Sequence, residues 1–212
     1  MPNIEKKILK KELKYKGEVI LKYTIEYPQV SNSMWTISSK KFNLYNYNIA
    51  IKLKNRAEGK LFEEAKEVYE YNKKNGYPIM VFELYYTFTV TYNTNNILSL
   101  YTDEYEFTGG AHGLTNRQSQ NWDFRMGRQI TLQELFPRDL NYVSNILKQI
   151  NDTISRDIEN GNNIYFDNYC CLTAENFNVN NFYLENGNII IYYQQYDIAP
   201  YSSGILTFKI KS

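Results

Sequence analysis

The chain has 212 residues, long enough to bury a real core as one large domain or two small ones. Apolar residues are 43%, charged residues 22% and the formal net charge is +1; with 16 basic and 13 acidic residues in 1–107 and 8 and 10 in 108–212, neither half has the concentrated positive field that nucleic-acid binding needs. No apolar run reaches the length of a signal segment or a membrane-spanning helix, and the only cysteines, Cys170 and Cys171, are neighbours that read as free thiols, which excludes a disulfide scaffold.

The N-terminal stretch carries Lys6, Lys7, Lys10, Lys11, Lys14 and Lys16, relieved by Glu5 and Glu12. It reads as a solvated first strand or a membrane-proximal stalk. "VILKYTIEY" then alternates: Val19, Leu21, Tyr23, Ile25 and Tyr27 share one face, which predicts a half-buried strand ended by Pro28. From Phe42 to Asn75 the period changes. Phe42, Tyr45, Ile49, Leu53, Ala57, Leu61, Ala65, Val68 and Tyr69 step by three or four, one helix face interrupted near Gly59 and stopped by Asn75-Gly76 and Pro78.

"MVFELYYTFTVTY" returns to period two and, through the turn cluster "NTNN" at 93–96, runs back as "ILSLYTDEYEF". This hairpin delivers the chain to "FTGGAHG", residues 107–113. Beyond it, "NWDF" and "RQI" read as two short strands around Gly127. Thr131 and Glu134 have capping-box spacing, which predicts a helical turn over Leu132–Phe136. Val143, Ile146, Leu147, Ile150, Ile154 and Ile158 form the buried stripe of a helix over about 141–159, ended by Asn160-Gly161. "FYLENGNIIIYYQQY" is a hairpin on Asn186-Gly187, "DIAPYSSG" a loop and "ILTFKI" a final strand. Helices segregated from antiparallel hairpins indicate an α+β fold. We expect two subdomains, residues 1–107 and 108–212, each with antiparallel strands packed against a long helix.

The candidate chemistry is sparse. His112, the only histidine, lies among Gly109, Gly110 and Gly113. A zinc site needs several ligands, commonly including histidines, and nucleophilic catalysis needs Ser or Cys beside a base. Neither set is visible, so no catalytic residue, metal ligand or cofactor is assigned. Gly109-Gly110 lacks the Lys-Ser/Thr of a phosphate loop. The glycines suit a tight turn, with His112 either pinning that turn or standing on a recognition surface. In "YDIAPYSSG", residues 196–204, Pro200 stiffens a loop flanked by Tyr196 and Tyr201 as aromatic anchors. The 21 tyrosines reflect either the codon bias of an AT-rich genome or a contact surface.

Three stretches in this order, "FTGGAHG", "NWDFRMGRQITLQELF" and "NNFYLENGNIIIYYQQYDIAPYSSG", resemble the extracytoplasmic module beside the catalytic domain of PdaC-type peptidoglycan deacetylases. The same module forms the outer part of RsiV-type anti-sigma factors that sense lysozyme. "IEYPQV" followed by a long helix is similar to its first half. The resemblance implies two α+β subdomains, bacterial origin, and export or membrane attachment. It does not imply deacetylase activity, which in those enzymes belongs to a separate metal-dependent domain. The expectation is a non-catalytic envelope module that binds a lysozyme-like protein or cell-wall glycan through Gly109, Gly110, His112, Tyr196, Pro200 and Tyr201. The alternatives are a hydrolase with His112 as general base and a structural partner domain. If Met1 is the true start, the chain is cytoplasmic.

Overall fold

A computed structural model describes residues 2–31, 34 and 36–211. It divides into two compact units, residues 1–88 with 102–115, and residues 89–101 with 116–212. The division is not the contiguous one expected at residues 107 and 108. A β-hairpin is long enough for its base to join one unit and its tip the other.

In the first unit, β1 (Asn3–Tyr15) and β2 (Glu18–Ser31) pair antiparallel from Asn3 opposite Ser31 to Tyr15 opposite Glu18. Their turn places Lys16 and Gly17 at φ 48° and 88°. The lysine-rich stretch is thus an edge strand, where charge discourages pairing with another chain. Pro28 does not end β2 but lies within it, opposite Lys6. Pairing of β2 with β3 covers only Leu21–Ile25, so at Pro28 the strand has a single neighbour and a missing N–H is tolerated.

The helical segment runs as α1 (Thr36–Arg56), a π-helical turn (Ala57–Leu61) and α2 (Phe62–Asn75). Its buried residues are Ser38, Ser39, Phe42, Asn46, Ala50, Leu53, Ala57, Leu61, Ala65, Tyr69 and Asn72. Tyr45, expected inside, is 40% exposed, and Ala50 rather than Ile49 is fully buried. From Leu53 to Tyr69 the buried positions step by four, four times over. In an ideal α-helix each such step overshoots a turn by about 40°, so the stripe would drift by roughly 160°. The wider π turn takes up about one extra residue and keeps the stripe on the sheet. The interruption predicted near Gly59 is therefore a widening rather than a break. Gly76 closes α2 at φ 69°, its N–H bonded to the Asn72 carbonyl.

Because a helix returns the chain across the sheet, β3 (Phe82–Thr94) runs parallel to β2, with Leu21 opposite Phe82 and Ile25 opposite Tyr86. That one parallel pair departs from the all-antiparallel expectation. β4 (Ile97–Phe107) follows a two-residue turn with Asn95 and Asn96 at φ 53° and 64°, the conformation of a type I′ hairpin. Ile20, Leu21, Ile25, Leu84 and Phe82 pack with the helix stripe as the first core.

The second unit contains the tip of that hairpin, β5 (Leu114–Asp123) from Asn116 on, and β6 (Arg128–Gln129). β5 begins far upstream of the expected "NWDF". Its first half, Leu114–Gln120, is nearly all polar and gives no alternating apolar signal. The capping box is present: Glu134 accepts the Thr131 N–H at 2.8 Å and opens a 3-10 turn, Leu132–Leu135. α3 (Tyr142–Glu159) buries Ile146, Ile150 and Ile154. A short α4 (Tyr169–Glu175), unforeseen from the sequence, carries Cys170 and Cys171 as exposed free thiols. β7 (Phe182–Glu185), β8 (Asn188–Tyr193) and β9 (Leu206–Ile210) form an antiparallel sheet, with Asn186 and Gly187 at φ 49° and 78° in the hairpin turn. The α3 stripe packs on Phe182, Ile189, Ile191, Phe208 and Ile210. The fold is α+β, nine described strands in two sheets with long helices.

Candidate functional site

The "FTGGAHG" turn lies in the first unit. Gly109 and Gly110 stand at φ 106° and 91°, a region that disfavours side chains. Gly113 is required for a different reason. A Cβ there would come within 2.5 Å of both the Glu106 carbonyl oxygen and the Tyr105 ring. His112 is exposed, and its Nδ1 sits 3.0 Å from the Gly113 carbonyl oxygen, to which the Nδ1–H tautomer donates. The strand entering the turn is fastened to the helix by one guanidinium nitrogen. Arg56 Nη2 lies 2.6 Å from Glu104 and 2.7 Å from Glu106. Burial, partly offset by Arg56, pushes the Glu106 carboxyl above its ordinary range.

Tyr196, Pro200 and Tyr201 lie in the second unit. Tyr196 adopts φ 70° and is 51% exposed, its ring 5.8 Å from that of Tyr201. The loop beneath is firmly held. Ile198 and Ala199 are buried, the Phe166 N–H donates to the Ile198 carbonyl at 3.1 Å, and Ser203 Oγ donates to the Ile164 carbonyl at 3.2 Å. The six residues proposed from sequence thus fall into two sets, glycines with His112 in one unit and the aromatic loop in the other. Much of the tyrosine content goes inward: Tyr23, Tyr69, Tyr86, Tyr183, Tyr192 and Tyr193 are all buried.

Beside the aromatic loop in sequence, and unforeseen, a polar cavity of about 350 Å³ opens in the second unit. Its lining includes the amides of Asn116, Gln118, Asn176 and Asn181, together with Arg117 and Asp197. Gln194 builds one wall by standing in for a strand. Its Oε1 accepts the Arg117 N–H at 2.9 Å and its Nε2 donates to the Arg117 carbonyl at 2.6 Å. Asp197 accepts the Gln194 N–H at 2.7 Å, and burial raises its carboxyl pKa. Asn176 Nδ2 donates to the Asp197 carbonyl at 2.7 Å. The Arg117 guanidinium lies 3.7 Å over the Tyr101 ring, and Tyr101 rests against Tyr183 at 5.3 Å. No sequence motif announces this cavity, because its residues are drawn from β5, the α4–β7 connection and the chain after β8.

Such a lining mixes amide donors and acceptors with one carboxylate and one guanidinium. It presents both hydrogen-bond donors and acceptors. Among the described residues, no three His, Cys, Asp or Glu side chains are grouped to hold a metal ion. No helix among the described residues is long and apolar enough to cross a membrane.

Residues 14–115 match the family model described as Deacetylase PdaC, and residues 133–212 match Protein of unknown function (DUF3298). The fold is similar to that of a DUF3298 family member from Bacteroides fragilis, with a TM-score of 0.72 at 18% identity over 99% of this chain and 90% of the other. It is also similar to a DUF3298 family protein from Pseudomonas aeruginosa, with a TM-score of 0.56 at 18% identity and the same coverage. No curated protein matches the sequence. The chain thus matches a PdaC-type model in its first half and a DUF3298-type model in its second, and the solved structures share its fold.

Proposed function

We propose that this PdaC/DUF3298-type module is a non-catalytic binding or sensing domain of the bacterial envelope, extracytoplasmic or membrane-attached in its native setting, whose ligand is a cell-wall glycan. The observation that carries the reading is the amide-lined cavity beside β5. N-acetylated sugars present hydroxyls and amides at close spacing, and side-chain amides with a carboxylate satisfy both donors and acceptors. The family resemblance supports the envelope setting. What supports a non-catalytic reading is that the cavity lining includes neither the histidine nor a nucleophile paired with a base.

Titration of the chain with soluble muropeptides checks this. Micromolar binding is expected, weakened at least fivefold in an Asn116→Ala/Gln118→Ala variant, whose side chains are exposed and whose Tm stays unchanged. Failure to bind at high micromolar concentration would sink the glycan reading. A second reading, a lysozyme-like protein partner, rests on the Tyr196–Tyr201 pair. Two amphipathic rings on a pinned loop form a low-entropy anchor for a protein surface. Binding of lysozyme that Tyr196→Ala abolishes, with no binding of muropeptides, would favour it.

A further inference from the structure

A second cavity in the second unit, about 570 Å³, has a different chemistry. Its apolar lining is Leu135, Phe136 and Pro137. Leu135 and Phe136 pack on the core beneath, and Phe136 is stacked on Tyr142 with ring centroids 5.6 Å apart. The walls are fixed by hydrogen bonds. Gln149 on α3 accepts the Lys211 N–H at 2.9 Å and donates to the Lys211 carbonyl at 3.1 Å, holding the end of the last strand in place. Asp139, the one carboxylate in the lining, is occupied at the entry to α3: it accepts the Asn141 N–H at 2.8 Å and the Asn145 amide at 2.6 Å. Three cations remain around the rim. Lys148 pairs with Asp152 at 2.8 Å, while among the described residues no ion pair engages Arg138 or Lys211.

We propose that this cavity binds a monomeric amphiphile, a single alkyl chain carrying an anionic oxygen head. The apolar lining receives the chain, and Arg138 with Lys211 receives the head, the guanidinium fork matching two oxygens at once. The volume lies in the range of small-molecule sites. The charge argues for a single molecule rather than a bilayer. Arg138, Lys148 and Lys211 stand beside Asp139 and Asp152, which falls short of the cluster of about four to eight cations that holds a protein on an anionic membrane. The site is independent of the amide-lined cavity, and so is its test.

Decyl phosphate, kept below its micelle-forming concentration, is titrated calorimetrically into the full chain, with decanol as the neutral control. Decyl phosphate should bind, and decanol should bind at least tenfold more weakly. An Arg138→Gln/Lys211→Gln variant should lose roughly tenfold or more in affinity for decyl phosphate. Its Tm and its muropeptide titration should stay unchanged. Absence of binding, equal binding of decanol, or an unaffected variant would overturn the proposal. So would capture of the chain by phosphatidylglycerol vesicles through these two side chains without binding of monomeric decyl phosphate, a result that assigns the cavity to a bilayer.

Discussion

The two units attach a helix to a sheet in different ways. In the first, the stripe from Phe42 to Asn72 is flanked by charge. Glu58 takes Lys11, Lys54 and the Tyr23 hydroxyl, Arg56 holds Glu104 and Glu106, and Glu18 takes Lys73 and the Tyr69 hydroxyl. In the second, α3 meets its sheet through Ile146, Ile150 and Ile154, with Gln149 bonding the Lys211 backbone, and a separate chain of polar bonds is buried elsewhere in the unit. Ser99 Oγ donates to Asn121 Oδ1 at 2.7 Å and accepts the Leu184 N–H at 2.8 Å, while Asn121 Nδ2 donates to the Phe182 carbonyl at 2.9 Å. Rim charges are screened by salt and individually contribute little, whereas a buried hydrogen bond is expensive to leave half-made. The first unit uses most of its charged groups on one another. The second unit holds its sheets together with a few buried amides and leaves other amides and cations lining cavities, which is where both binding proposals fall.

The largest expected effect tests how tightly the first unit closes on itself. Gly113→Ala places a carbon against the Tyr105 ring and the Glu106 carbonyl oxygen, and the backbone oxygen cannot swing aside. A loss of about 3 kcal/mol is expected, the upper range for overpacking. Hydrogen exchange should localise it to 102–107. His112→Ala, one residue away and exposed, should stay within about 0.5 kcal/mol. If the two substitutions destabilise equally, the turn depends on the imidazole and the glycine argument fails.

Ser99→Ala is the corresponding break in the second unit. It removes one hydroxyl but strands two partners, the Leu184 N–H and the Asn121 Oδ1, at a position with no solvent access. About 2 kcal/mol should be lost. Because the pair is buried, the loss should be the same in low salt and in 1 M salt. A loss that shrinks with salt would mean that the contrast between the units is misdrawn.

Much of this architecture is legible in the sequence. The Asn186-Gly187 hairpin, the Thr131–Glu134 cap and the α3 stripe are set by neighbours within four residues, and local chemistry suffices to read them. Where partners are distant in the chain, reading fails. Pro28 looks like a terminator until the single-sided pairing of β2 is known. The polar half of β5 is held partly by Gln194, 77 residues away, so no periodicity marks it. The amide cavity is missed for the same reason. Asn116 and Asp197 form no motif; only the fold brings them to one wall. The glycines of "FTGGAHG" were recognisable as a turn, but that Gly113 is the one without room for a side chain depends on Glu106 and Tyr105 in the folded strand.

The smallest effect concerns pH and salt in the first unit. The Glu58 carboxyl is held at about 2 against an ordinary 4.5, first by the Lys54 hydrogen bond and then by the Tyr23 hydroxyl. The folded chain therefore releases this proton more readily than the unfolded chain does. Stability from Glu58 is complete above about pH 4.5 and drains away as the pH falls towards 2. Glu106 runs the other way. Its raised carboxyl favours the protonated form on folding, so its contribution is full below the ordinary carboxylate range and is lost as the pH rises through its folded value. Glu58→Gln isolates the first of these. At pH 7 and low salt it should cost less than about 1 kcal/mol, the scale of solvent-screened pairs. The gap between the urea midpoints of the two proteins should close as the pH is lowered towards 2 and narrow in 1 M salt. A gap that holds its size under both changes would show that Glu58 acts by packing against Tyr23 rather than by charge, and the first unit would then resemble the second.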